Sequence, residues 1–574
     1  RPGTGTLPLG ESRRVSRARR RGLLLACLLF LAALAAAGAD EARRRFSPTA
    51  DEADHVAQAR FVRSGGPVPP KLEQPGVLLV LAGSALPPDP HASAPEEVRA
   101  ARRPFPLLFG ALVLVSGAWA ARRSGAAAGI AVTALLVLDP TLRGHGALVK
   151  TDVPVALFLV ASAAALDLGL SQARRPRALL LLCASGASYG LALATKASAA
   201  AFLPLFLAAA LPGLLARRRR AGAGIAALLV PAAAVLLAVQ AFAFRSVPRE
   251  SIRAAATRMF RTMPEPAPAR ERILASAPKG IAAWAGGADY LRRRGRPGKW
   301  LNYLNAEVRG GGFLLYYPVA LLVKLPVGTL ALCLGAPLAL LAAWGRASPL
   351  RRRRLLRLAR GRAVLPGFLG LSWIALMSVA PINIGVRYGL PGAVLLVVSA
   401  AGILATALRG TRWRVGVPAL LVLATAAEAL AFRGREISFG NLLAGGPSGL
   451  RRVLTDSNVE WGQEQERMFA RASAGDLGRV AVVAPYVDAE LARRAGVAWI
   501  SRAEEAGDAV FVSTFAWDLA HALARWDEGP RYPWIAYVRS WMVPLVLGLE
   551  ERASSVEPFG DGYLLLRLRP APTG

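Results

Sequence analysis

The run RRRRAGAGIAALLVPAAAVLLAVQAFAFR, residues 217–245, decides the fold. Four arginines give way to an apolar stretch that carries no charge before Arg245. A helix needs about 20 such residues to cross the hydrocarbon core of a bilayer. The same grammar repeats outward in both directions. Spans are expected at 22–38, 105–120, 125–138, 153–170, 178–194, 198–216, 221–244, 326–344, 363–381, 389–408 and 415–432. The 574 residues are 54% hydrophobic and only 19% charged, which excludes a single soluble enzyme and a disordered chain. The expected fold is an all-α polytopic membrane protein of about eleven transmembrane helices with a small C-terminal soluble α/β domain.

Charge sets the expected topology. The net charge of +34 would suggest nucleic acid in a soluble chain. Here most of it sits in arginine clusters before the first span, at 122–123, 174–177, 217–220, 346–362 and 409–414, opposed in those segments only by Glu11. These are alternate connections, as the positive-inside rule asks of cytoplasmic loops. No nucleic-acid partner is expected; the partner is membrane lipid. The division that follows is a basic cytoplasmic N-terminus at 1–21 and a membrane domain at 22–432. Its outer loops are 39–104, 139–152 and 245–325, and an extracytoplasmic α/β domain occupies 433–574. The first span reads either as a cleavable signal or as a retained helix, and the many later spans favour retention. Cys27, Cys183 and Cys333 lie in apolar runs, so no disulfide framework is expected outside the membrane.

After 432 the apolar runs shorten. Val480–Ala484, Ala509–Val512 and Tyr563–Leu568 read as strands, separated by helical patterns at 463–472, 487–494 and 517–525. Before the span at 326, GGFLLYYPVALLVK (311–324) reads as an interfacial segment with Tyr316 and Tyr317 at the headgroup level.

Candidate chemistry gathers on the outer loops. The first holds DEADH, with Asp51, Glu52, Asp54 and His55; the second, LDPTLRGHGALVKTDVP (138–154), holds Asp139, Arg143, His145, Lys150 and Asp152. A carboxylate there can serve as general base to a substrate hydroxyl. The plainer reading is a solvated acidic turn that caps a helix starting near Thr49, and an N-cap at Asp152. Asp51 and His55, one helical turn apart, make half a metal site without the second histidine of a zincin. Lys196, Lys324 and Arg387 lie at the same membrane level. Each alone reads as a snorkelling cation. Together they suit a phosphate that leaves as its bond to a sugar breaks. Neither a dinucleotide fingerprint nor a P-loop is present.

The ordered series DEADH, KLEQP, LRGHGALVKTD, GLALATK, FLLYYPVALLVKLP, NIGVRYGLP and FGNLLAGGPSGLRRVLTDSNVEWGQE resembles GT-C superfamily glycosyltransferases. The similarity is to the phospholipid-carrier-dependent, family-39-like group, related to protein O-mannosyltransferases and aminoarabinose transferases. The resemblance implies a bacterial inner-membrane enzyme with its N-terminus in the cytoplasm and its C-terminal domain outside. It would transfer a sugar, with inversion, from a polyprenyl-phosphate donor to an acceptor hydroxyl on a glycan, lipid or protein. It implies Asp51 as base with Glu52 beside it, and Asp152 as orienting acid or metal partner. Lys196, Lys324 and Arg387 would hold the donor phosphate, and His55 and His145 are further candidates. A divalent metal ion on Asp51, His55 and Asp152 is left open. One departure is Tyr388, where relatives often place His after the arginine. The rival class, a transporter of lipid-linked sugars, places its ionisable groups near the midplane, whereas these collect at helix ends. A non-catalytic family member is the third reading.

Overall fold

The computed structural model of the chain describes residues 9–65, 69, 72–87, 93–216, 221–260, 268–526 and 531–570. Arg1, Lys71 and the 217–220 cluster lie outside the described residues. Among those described, nine helices are long and apolar enough to cross a membrane, or up to eleven if each of two bent pairs is one span. Every span read from the sequence coincides with a helix. The fold is mostly helical, and the protein is a multi-pass membrane protein.

Small residues bring these helices together. Helix Arg175–Leu193 meets Ala221–Ala243 through Gly186 and Gly190, where an added Cβ would lie 2.1 and 2.4 Å from backbone oxygens of Leu228 and Ala232. Such close approach is how apolar helices associate when lipid is as apolar as they are. Helix Leu390–Ala407 is the most enclosed, packed among Pro349–Ser378, Val327–Gly345 and Asp152–Ser171.

The direction of the helices sorts their ends. Ala126–Leu138 begins beside Arg122 and Arg123 and ends at Asp139. Asp152–Ser171 runs back toward Arg174, and Arg175–Leu193 returns to Lys196. Leu390–Ala407 starts after Arg387 and ends before Arg409. Each helix that touches an outer-loop candidate therefore has arginines at its far end.

Three local expectations are revised, and the helix expected near Thr49 is present. The arginines at 351–360 lie on the first half of helix Pro349–Ser378, ahead of its bend between Gly361 and Ala363, because arginine is a good helix former. The long outer connections are largely helical, with Glu52–Ser64, Gly76–Ala85 and Ala94–Ala101 in the first and Lys279–Arg294 in the second. Tyr316 and Tyr317 are buried, not placed at an interface, and the Tyr316 hydroxyl accepts from Asn458 Nδ2 at 2.9 Å. The segment 455–461 folds over them, which the local sequence of 311–324 does not foretell. Asp152 is the first residue of its helix rather than the cap, a place taken by Thr151.

The C-terminal region carries a five-stranded sheet ordered Ala498–Trp499, Val480–Val483, Ala509–Ser513, Tyr563–Leu568 and Ala553–Phe559. The first three are parallel and the last two pairings antiparallel. The three strands read from the sequence form the sheet's interior; the two edges were not read. One edge is two residues long, and the other contains Pro558 and alternates with polar residues, so neither carries an apolar run. Helices cover both faces, around Met468 and Phe469 on one and Leu545 and Leu549 on the other.

Candidate active site

Asp51 occupies the N-cap position of helix Glu52–Ser64, yet its side chain makes no capping bond. Its carboxylate turns away from the helix instead. Oδ2 lies 3.0 Å from Lys150 Nζ and 3.5 Å from Arg387 Nη1. The two cations are buried while the Asp51 side chain is 47% exposed, so the acid faces an opening with its counter-charges behind it. Burial would raise this carboxyl, but Lys150 and then Arg387 outweigh it and hold it well below the usual carboxylate range. Burial likewise lowers Lys150, against which Asp51 works to keep the ammonium charged.

An aromatic floor fixes the cations. The indole of Trp461 lies 4.0 Å from Lys150 Nζ and 4.1 Å from the Arg387 guanidinium carbon, ring centroid to atom. Tyr388 sits beside Arg387 and carries Lys196 Nζ over its face at 3.9 Å. Lys196 donates to Asp152 Oδ1 at 2.6 Å. The His145 ring stands edge-on to Trp461, its Nδ1 without a hydrogen-bond partner among the described residues. Arg387 is aimed by its loop: Gly385, at φ +135°, permits the turn, and Val386 N–H donates to Asn458 Oδ1 at 2.8 Å.

Glu52, next in the chain, is used differently. It is fully buried and accepts from Arg102 through both oxygens, at 2.9 and 2.5 Å. It also accepts from the backbone and hydroxyl of Thr49 and from Val149 N–H. Burial raises Glu52, but Arg102 more than reverses it, to about 2. His55 Nδ1 bonds the Val149 carbonyl at 2.8 Å, and burial, then Lys150, push this ring down to about 4, so it is neutral. Glu52 and His55 thus clamp the tight turn at 148–150, where Lys150 N–H donates to the Leu148 carbonyl at 2.8 Å, and present Lys150 to Asp51.

Residues 93–245 match the family model described as dolichyl-phosphate-mannose-protein mannosyltransferase, abbreviated PMT. The match covers that stretch alone, about a quarter of the chain. The matched residues include Arg102, Lys150, Asp152 and Lys196. No curated protein sequence matches. Three solved structures are similar at low identity. ArnT from Cupriavidus metallidurans, bound to undecaprenyl phosphate, is 14% identical over 95% of this chain and 98% of its own, with TM-score 0.43. The apo oligosaccharyltransferase of Archaeoglobus fulgidus is 14% identical over 70% and 55%, with TM-score 0.44. The same enzyme with zinc and sulfate is 13% identical over 93% and 72%, with TM-score 0.47.

In the structure the expected site residues divide. Asp51 and Arg387 meet directly, and Lys196 with Asp152 joins them through Tyr388. Lys324 is placed apart: its ammonium donates to the carbonyls of Ile437 and Asn458 at 2.7 and 2.8 Å. Two main-chain acceptors already satisfy it, so nothing aims it at Asp51. Lys150 stands where Lys324 was expected. It lies in the same KTD run as Asp152, so the signal was present, but the choice among the second loop's basic residues needed the fold. Trp461 and Asp456 were likewise visible only as parts of DSNVEWGQ. Asp51, His55 and Asp152 do not converge as a metal set: each is turned to a different partner, and no group of three such ligands occurs among the described residues.

Proposed function

We propose that the chain transfers a sugar from a polyprenyl-phosphate donor to an acceptor hydroxyl, with inversion and with Asp51 as general base. The observation that carries this is the Asp51 carboxylate: half exposed at a helix start, making no cap, and backed by buried Lys150 and Arg387. The family model matched by residues 93–245 is of lipid-phosphate-dependent mannosyltransferases, and one similar structure carries undecaprenyl phosphate. Both support this donor class here.

In the proposed step the acceptor hydroxyl gives its proton to an Asp51 oxygen as its own oxygen attacks the anomeric carbon. The carbon–phosphate oxygen bond breaks, and its electron pair leaves with the lipid phosphate. Lys150 and Arg387, with Lys196 one ring away, hold the growing charge. The same cations keep Asp51 a weak base while the site is empty. A donor phosphate beside them draws off their field, so the proton affinity of Asp51 rises when a sugar is in place. Glu52 and His55 position Lys150, and Trp461 and Tyr388 fix the cations without competing for the phosphate.

The arginine-rich helix ends, through the positive-inside rule, support the further proposal that the N-terminus lies in the cytoplasm and this site outside it, in a bacterial inner membrane. Reconstituted enzyme with a synthetic polyprenyl-phosphate sugar tests the chemistry. Asp51→Asn should lose transfer and keep donor binding; undiminished transfer removes Asp51 as base. A reporter joined after the sheet domain should be active outside the cytoplasm, and a cytoplasmic signal rejects the orientation.

A further inference from the structure

A groove of about 830 Å³ opens between the C-terminal domain and the outer loops, within the size of small-ligand sites. Its walls carry Trp300, Trp499, Trp534, Tyr537 and Trp541, and Asp456 lies at one end. Trp499, Tyr537 and Trp534 are 61, 66 and 42% exposed, and large exposed aromatics gathered on one groove mark a binding surface. Two of the rings are held by their own N–H groups. Trp300 Nε1 donates to the Arg294 carbonyl at 2.7 Å, and Trp499 Nε1 to that of Ala484 at 3.3 Å. The Trp499 edge is thus occupied and its exposed face left as a fixed platform, while the Trp300 ring also carries the Arg294 guanidinium 4.8 Å from its centroid.

The electrostatics of the groove differ from those of the whole molecule. In a chain of net charge +34, the lining among the described residues holds one cation, Arg502, with Arg294 stacked behind Trp300, against Asp456 and Glu504. Such a surface has no excess positive charge for an anionic headgroup. It suits a neutral, polyhydroxylated ligand whose C–H faces meet the electron-rich ring faces and whose hydroxyls reach Ser501, Arg502, Glu504 and Asp456. The groove also leads to the proposed base. Asp456, in the left-handed region at φ +60°, interacts electrostatically with both Arg387 and Asp51. Ile384, also in the lining, accepts from Ser457 Oγ at 2.5 Å and lies two residues before Val386, whose N–H donates to Asn458.

We propose that the acceptor is a neutral saccharide chain, stacked in this groove with its terminal hydroxyl delivered past Asp456 to Asp51. This rests on the transferase reading and gives it an acceptor class: a glycan in place of a peptide or a lipid tail.

The test is binding to the full chain in nanodiscs free of glycoside detergent, by saturation-transfer-difference NMR with maltohexaose and fully N-acetylated chitohexaose as probes. Ring C–H protons of at least one hexasaccharide should receive saturation. Trp499→Ala and Trp534→Ala should each weaken the apparent affinity roughly tenfold, and Trp499→Phe, which keeps a ring face, should restore most of it. Trp413→Ala, on an exposed helix at the far end of the molecule, should leave the signal unchanged and controls for general loss of fold. No transfer to either probe, or signals indifferent to Trp499 and Trp534, overturns the proposal. So does a result in which a Ser/Thr-rich peptide binds in a Trp499-dependent way and the hexasaccharides do not. Asp51→Asn should bind the probes as the wild type does. If sugar transfer fails in every assay while the groove still binds saccharide, the transferase chemistry is refuted and the groove stands.

Discussion

Asp51 and Glu52 are adjacent carboxylates that live in opposite surroundings. Glu52 is sealed among Arg102, Thr49 and Val149, with every oxygen occupied. Asp51 has two cations on one oxygen and open space on the other side. The first arrangement consumes a carboxylate's capacity for hydrogen bonds; the second holds one in reserve. One residue builds the platform on which its neighbour acts, and environment, not residue type, assigns the roles.

The comparison breaks most visibly if the two acids exchange phenotypes. Asp51→Asn should lower kcat by about 10²–10⁴, with a smaller fall in the melting temperature of the solubilised protein than Arg102→Met, since this side chain is half exposed. Arg102→Met should do the reverse. It strands a buried charge on Glu52, which costs about 3–5 kcal/mol, and should appear as a lowered melting temperature. The pH dependence has the same sign. Glu52 is lowered from its ordinary value to about 2, so its stabilisation is complete above about pH 4.5 and lost as pH falls toward 2. Stability in Arg102→Met should therefore depend less on pH in that window than in the wild type. An Arg102→Met protein that melts normally would show that the pair is not a structural clamp.

Two lysines sharpen the contrast further. Lys150→Met removes a cation facing Asp51 and should weaken donor binding by about 10–100-fold, the worth of a charged hydrogen bond. Lys324→Met takes a cation away from two carbonyls instead, costing about 1–3 kcal/mol of stability, with donor affinity retained. Equal effects on donor affinity would return Lys324 to the phosphate site.

How much of this was legible follows from what each feature depends on. The spans are local in sequence, because bilayer thickness and arginine placement alone define them, and the interior strands are uninterrupted apolar runs. Asp51, Arg387, Lys196 and Asp152 stood out as charges at helix ends. The division between Lys150 and Lys324 was not legible, since both precede apolar helices on the same face. It depends on which main-chain carbonyls, from 437 and 458, fold back over one of them. Glu52's partner Arg102 lies 50 residues away and belongs to no motif.

The smallest effect concerns Asp456, a second acid that interacts electrostatically with Arg387. Burial raises its carboxyl to about 6, with Arg387 opposing the rise. Below that pH it is neutral and Arg387 has its full field for a phosphate; above it, a second negative charge competes for the same guanidinium. A lipid-phosphate sugar is a diester whose own charge is constant across this range, whereas the released phosphate monoester titrates near pH 6. Donor affinity, not product affinity, is therefore the clean readout. Measured between pH 5 and 8, it should fall by a factor of about five as pH rises through 6, the scale of a screened charge pair. In Asp456→Asn the profile should be flat and tight throughout. A step of unchanged size in that variant would mean that another group titrates beside Arg387, and that its field is set only by the acids on the Asp51 side.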